Sequence, residues 1–166
     1  MRWTVEEVAQ ALGVAVPSGL APLARLAGVS IDSRAMGRGQ LFIAIRGPRH
    51  DGHDFVATAL QAGAGAAVVA SDRISSYDDE IRGRLFPAGD TLAALQELAR
   101  AVRRAWGRRI AAVTGSVGKT TTKEILAALL GAKFRVLKSE GNLTTNTACR
   151  SRCCGWSRKI RPRWSN

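Results

Sequence analysis

Cysteine is missing from the chain until Cys149, so no disulfide framework can organise the body of this 166-residue sequence. Aromatic residues are scarce at 5%, too few to lay a stacking platform for single-stranded nucleic acid. No apolar run approaches the ~18 residues that would cross a bilayer, which argues against membrane insertion. The opening residues, Met1 to Glu7, lack the apolar stretch of a secretory leader and carry acids at Glu6 and Glu7. A cytoplasmic location is therefore expected. Acidic residues are absent from positions 147–166, which hold six of the 25 Lys/Arg and all three cysteines, Cys149, Cys153 and Cys154. Half of the +12 net charge thus sits in this tail, and the body is only mildly basic. That distribution weakens a nucleic-acid reading of the charge.

Apolar residues make up 46% of the chain, enough for a packed core. Thr4 followed by Glu7 forms a capping-box pattern ahead of the stripe Val5, Val8 and Leu12, and Gly13 stops that helix. Residues 29–32 and 41–45 read as strands. A loop follows from Arg46 to His53, and Asp54 is expected to cap a helix running to Ala62, stopped by Gly63. Ala66 to Ala70 reads as a short buried strand. Residues 71–83 read as irregular or partly helical. Asp90 caps a long helix with Leu92, Leu95, Leu98 and Val102 on one face, which Gly107 ends. Strands are expected at 110–113 and 134–137, flanking a helix from Lys119 to Leu130 closed by Gly131. The order gives an α/β fold: a small N-terminal α/β domain over 1–85, then the start of a parallel-sheet nucleotide domain over 86–146.

The sharpest signal lies between the 110–113 strand and the Lys119 helix: Thr114-Gly115-Ser116-Val117-Gly118-Lys119-Thr120-Thr121-Thr122. Gly115 and Gly118 let the backbone turn tightly and aim N–H groups at phosphate oxygens. A helix N-terminus adds a positive dipole end. Lys119 brings a full charge to a β- or γ-phosphate, and Thr120 offers a hydroxyl to Mg2+. Two residues rather than four separate the first glycine from Gly-Lys, so the loop is shorter than the common P-loop pattern. The remaining alternative is a plain glycine-rich strand-to-helix turn.

The Thr-Gly-x-x-Gly-Lys-Thr-Thr-Thr run resembles the ATP loop of the Mur ligases. Upstream, Ser30-Ile31-Asp32-Ser33-Arg34, Gly39 to Gly47, Asp51-Gly52-His53-Asp54-Phe55 and Ala59 to Val69 are similar to the UDP-binding domain of that family. Gly141-Asn142-Leu143 resembles the family's Gly-Asn-x-Asn-Asn motif. Within the family, Ser116 and Lys123-Glu124 are most like the member that attaches D-alanyl-D-alanine to UDP-N-acetylmuramoyl-tripeptide. The member acting one step earlier, which adds the third peptide residue, usually reads Thr-Asn after the first glycine. Folylpolyglutamate synthetases share the ATP fold but lack the UDP domain. The resemblance implies ATP and Mg2+ as cofactors and an acyl phosphate formed on the substrate carboxylate. It implies a nucleotide site of Thr114, Gly115, Ser116, Val117, Gly118, Lys119, Thr120, Thr121 and Asn142, with Lys119 catalytic and Thr120 on the metal. It places the UDP end of the substrate at Ser33 and Arg34, with Ser30 weaker, in a monomeric enzyme. Taken alone, Asp32-Ser33-Arg34 also reads as an ordinary strand-end turn, and His53 as a surface loop histidine.

After Asn146 the pattern breaks. Residues 147–166 carry neither a helical stripe nor alternation, and they read as the frameshifted or miscalled end of a longer gene. Other readings of the tail are a basic nucleic-acid arm and a metal site at Cys149, Cys153 and Cys154. In the resembled enzymes an acidic Mg2+ ligand, a carbamylated lysine and a further domain lie beyond this point, so no ligase turnover is expected of the chain by itself. A kinase or GTPase-like switch would also use the phosphate loop, but has no use for the upstream domain.

Overall fold

The computed structural model describes residues 3–48 and 50–139. Strand β1 (Trp3–Thr4) leads directly into helix α1 (Val5–Leu12), and β1 pairs antiparallel with β2 (Arg25–Leu26). The capping box forms as the sequence implies: the Glu7 N–H donates to Thr4 Oγ1 at 3.2 Å and the Thr4 N–H to Glu7 Oε2 at 2.8 Å. Gly13 ends α1 in the left-handed region, at φ 66°. The cap contributes about 1 kcal/mol. Burial of Val5 and Val8, both essentially solvent-free, contributes about 1.5–3 kcal/mol each. Packing therefore outweighs capping in holding α1.

A parallel sheet of order β3-β4-β5-β6 forms the centre: β3 (Val29–Ser30), β4 (Leu41–Ile43), β5 (Ala66–Ala70) and β6 (Leu85–Ala88). Side chains alternate across it. Leu41, Ile43, Ala66, Val68 and Phe86 face α1 and the long helix α4 (Thr91–Trp106). Phe42, Ala44, Ala67, Val69 and Leu85 face the other way, onto α2 (Val56–Gln61) and the side that carries α3 (Asp79–Arg82). Covered on both faces, the strands read as unbroken apolar runs. Among the described residues no helix is long and apolar enough to cross a membrane.

Several expectations are corrected here. Asp51, not Asp54, caps the turn into α2: its carboxylate accepts from the His53 N–H at 3.0 Å, and a 3-10 turn over Gly52–Phe55 precedes the helix. Strand β6 forms at the expected domain boundary, where no element was expected, while residues 71–83 are partly helical as read. Gly131 is the last residue of α5 (Lys119–Gly131) rather than its stop. The expected division at 85/86 falls inside β6, and Leu95 and Leu98 of α4 are buried against the same core as α1. We infer that the first unit extends through α4 to Gly107, where the chain turns at φ 61°.

The strands expected at 110–113 and 134–137 do not form; among the described residues only α5 represents the second unit. A strand exists only through a hydrogen-bonded neighbour, and the apolar side chains meant for its faces stay in solvent. Ile110 and Leu137 are 57% and 61% exposed, and α5 buries none of its residues.

Candidate functional site

Two groups of polar residues stand out. The first lies at the carboxyl ends of the parallel strands, where open α/β sheets bind ligands. After β3, Asp32 caps a 3-10 turn (Ser33–Ala35) by accepting from the Arg34 N–H at 3.0 Å. The Arg34 guanidinium clasps the same carboxylate with two parallel bonds of 3.0 Å. That bond from the Arg34 side chain, helped by the one from its backbone, holds Asp32 below the usual carboxylate range, and Asp32 in turn raises Arg34. Ser30 Oγ donates to the Asp32 carbonyl at 3.0 Å and accepts the Asp32 N–H at 3.2 Å, which fixes the strand end. Ser30 and Arg34 thus share Asp32 at the end of β3, and Ser33 opens the 3-10 turn between them.

Beside them, after β4, sits a cluster centred on Asp51. His53 is buried, 5% exposed, which corrects the surface-loop reading. Its ring Nδ1 lies 2.5 Å from Asp51 Oδ1, while its Nε2 accepts the Ala70 N–H at 2.9 Å. An Nε2 that accepts carries no proton, so Nδ1–H is the donor to Asp51. Asp51 Oδ2 meets Arg46 Nε at 3.3 Å and an Arg73 terminal nitrogen at 3.4 Å. The Tyr77 hydroxyl donates to the His53 carbonyl at 2.9 Å, and burial raises the Tyr77 pKa. The Asp51-Gly52-His53 run marked this spot in the sequence, but Arg46, Arg73 and Tyr77 carried no local signal, because the fold alone gathers them. Gly52 is required by close approach: a Cβ there would come within 2.6 Å of the Ile45 backbone nitrogen.

The backbone N–H of His53, chief among these contacts, lowers the Asp51 pKa from 3.8 to about 2. A carboxylate depressed in the folded state stabilises the fold above its unfolded pKa. That stabilisation is lost as pH falls from near 3.8 to near 2. Acid unfolding should show this window, of order 1 kcal/mol after solvent screening, and it should vanish in Asp51→Asn. Urea midpoints between pH 5 and pH 2 measure it; an unchanged pH slope in the variant refutes it.

The second group is the loop ahead of α5. Gly115 adopts φ 151° and Gly118 φ 77°, conformations that a side chain disfavours. Gly118 is the N-cap of α5 and no side chain caps this terminus. The first helical bond runs from the Thr122 N–H to the Gly118 carbonyl at 2.9 Å, so the N–H groups ahead of it lie outside the helix ladder. Lys119 folds back and donates to the Gly115 carbonyl and, at 3.3 Å, to the Ser116 carbonyl. Thr114, Ser116, Val117, Thr120 and Thr121 are exposed around this turn. The arrangement suits a phosphate: donors at a helix mouth, a lysine beside them and the exposed Thr120. Further along, Lys123 donates to the Ser139 carbonyl at 2.7 Å, and Lys138 pairs with Glu124, which lowers the Glu124 pKa. Asn142 and the cysteine-bearing tail lie outside the described residues. Among the described residues no group of three or more His, Cys, Asp or Glu could hold a metal ion.

Comparison with known proteins decides the family. Residues 25–103 match "Mur ligase family, catalytic domain" and residues 113–152 match "Mur ligase middle domain". The chain belongs to the Mur ligase family. The second match runs six residues past the point, Asn146, at which the sequence pattern was expected to stop. The chain is 44% identical over 119 residues to the UDP-N-acetylmuramoyl-tripeptide–D-alanyl-D-alanine ligase of Bacillus subtilis (strain 168), covering 72% of this chain and 25% of that ligase. It is 37% identical over 160 residues to the ligase of the same name from Mycobacterium tuberculosis (strain ATCC 25618 / H37Rv), covering 84% of this chain and 31% of that one. The fold is similar to the crystal structure of MurF from Acinetobacter baumannii, with TM-score 0.78 and 29% identity over 93% of this chain and 33% of that one. MurF ligase from Thermotoga maritima, solved in complex with ADP, gives TM-score 0.61 and 35% identity over 76% of this chain and 28% of that one. The chain therefore spans about a quarter to a third of the length of these Mur ligases.

Proposed function

We propose that this chain supplies the substrate-binding unit and the ATP loop of a cytoplasmic ligase that joins D-alanyl-D-alanine to UDP-N-acetylmuramoyl-tripeptide. One observation carries the reading: an uncapped helix mouth with positive-φ glycines and Lys119 follows directly on a parallel-sheet unit whose carboxyl edge holds arginines and serines. ATP is the co-substrate, held through its phosphates by residues 114–121, with Lys119 on the β/γ end. Mg2+, placed at the Thr120 hydroxyl, would neutralise phosphate charge. The Lys119 ammonium does the same from the protein side. Ser30, Ser33 and the strand end after β3 position the uridine part of the substrate. Activation of the tripeptide carboxylate as an acyl phosphate, and attack by the dipeptide amine, require residues outside the described segment.

UDP-N-acetylmuramoyl-tripeptide should bind this chain saturably, and single-stranded DNA only weakly and in proportion to falling salt. Calorimetric titration of both ligands at 50 and 200 mM salt tests the assignment. Tight, salt-steep DNA binding with no heat from the UDP-peptide refutes it in favour of a basic nucleic-acid binder.

A further inference from the structure

From Leu98 to Lys123 the chain carries seven Lys/Arg and no acidic residue. Five of these are arginines within residues 100–109, across the last two turns of α4 and the turn at Gly107. Arg100 pairs with Glu97 and is set aside. Arg103, Arg104, Arg108 and Arg109 are exposed. A helix C-terminus attracts cations through its dipole, which accounts for Arg103 and Arg104. It does not account for Arg108 and Arg109, which lie past the left-handed turn at Gly107, outside the helix. The apolar residues here are equally uneven. Leu95 and Leu98 are buried and Val102 packs on the core, but Trp106, one turn further, is only partly covered. Ile110 is 57% exposed. The Arg103 guanidinium lies over the Trp106 ring, 5.7 Å from its centroid. Residues 103–110 thus offer solvent four cations, an indole and an isoleucine in one short stretch.

We propose that Arg103, Arg104, Trp106, Arg108, Arg109 and Ile110 form a peripheral docking surface for an anionic lipid bilayer. The contact is adsorption at the headgroups, and it goes beyond the ligase reading without depending on it. Guanidinium forks match the phosphate oxygens of lipid headgroups. Each basic residue held near an anionic surface favours binding about fivefold, so four together supply several hundredfold. An indole and a branched aliphatic side chain beside them suit the boundary between headgroup and acyl chain. A nucleic acid fits less well. Arg103 already covers a face of Trp106 that base stacking would use, and Ile110 would gain nothing from a phosphate backbone.

The test is vesicle cosedimentation of the full chain, with the six Lys/Arg of residues 147–166 replaced by glutamine so that the tail cannot contribute. Vesicles are phosphatidylcholine alone or mixed with phosphatidylglycerol. Binding is expected only to the mixed vesicles, and it should fall as salt rises. Arg103→Gln, Arg104→Gln, Arg108→Gln and Arg109→Gln are each expected to weaken it about fivefold, and the quadruple variant at least about 100-fold. Replacing the same four by lysine should change it less than about threefold. Ile110→Ser keeps every charge and should weaken it about threefold, through lost apolar contact with the headgroup region. Should the quadruple glutamine variant melt early, the single variants and Ile110→Ser decide, since Ile110 lies outside the packed core. Binding that is equal with and without phosphatidylglycerol, or unchanged in the quadruple variant, overturns the proposal. So does a tighter hold on single-stranded DNA or polyglutamate than on the mixed vesicles, lost through the same four arginines; the partner is then a soluble polyanion and not a bilayer.

Discussion

Lys119→Ala is expected to weaken ATP binding about 100-fold while leaving the melting temperature of the chain unchanged. The ammonium donates to the Gly115 and Ser116 carbonyls, which places it over the turn that a phosphate would enter. Hydrogen bonds to charged groups contribute about 1.5–3 kcal/mol each, so losing two ammonium bonds to phosphate, taken at the lower end, amounts to roughly two decades of affinity. The fold should not notice, because α5 buries no residue against the core. Titration with a fluorescent ATP analogue, alongside thermal unfolding, separates the two effects. Lys119→Ala with parental nucleotide affinity would remove the phosphate-loop assignment and the ligase reading with it.

His53→Ala should cost about 3 kcal/mol of folding stability, a drop of about 12–24 °C in melting temperature for a domain of this size. The ring is the acceptor for the Ala70 N–H at the end of β5, which a methyl group cannot replace, and it fills a buried site beside Asp51, whose carboxylate would keep the His53 N–H, Arg46 and Arg73. Buried groups left unpaired cost about 1–3 kcal/mol each. The isosteric logic is graded. Asparagine reaches the position of Nδ1 and keeps a donor for Asp51; glutamine reaches the position of Nε2 and keeps an acceptor for Ala70. Each should recover about half of the loss. Urea denaturation followed by circular dichroism measures the series. Equal stability of the alanine variant and its parent would mean that the ring is packing filler.

What the sequence disclosed follows the range of the physics involved. The Thr4–Glu7 box, the Asp90 cap and the Gly13 and Gly107 stops are encoded within four residues, and each forms as read. The turn ahead of α5 is equally local, since the Gly115 and Gly118 dihedrals and the following helix define it. Strand β6 escaped notice because Leu85–Ala88 is short and contains Pro87, and only its pairing with β5 reveals it. The 110–113 and 134–137 segments have strand composition but no neighbour among the described residues. His53 was misread for the same reason: nothing near it in sequence says that β5 and Tyr77 will close over it. Asp51 and Asp54 are both plausible caps by type, and the hydrogen bond to the His53 N–H decides between them. Ser30, Ser33 and Arg34 were legible as a cluster because they adjoin in sequence, whereas Arg46 and Arg73 meet only through the sheet.

The docking of α4 beside α1 has a practical corollary. Every buried apolar side chain among the described residues lies between Val5 and Leu98. This core therefore takes no buried side chain from α5, and the chain leaves it through the turn at Gly107. Changes in the residues that follow Gly107 should leave the packing of that core untouched.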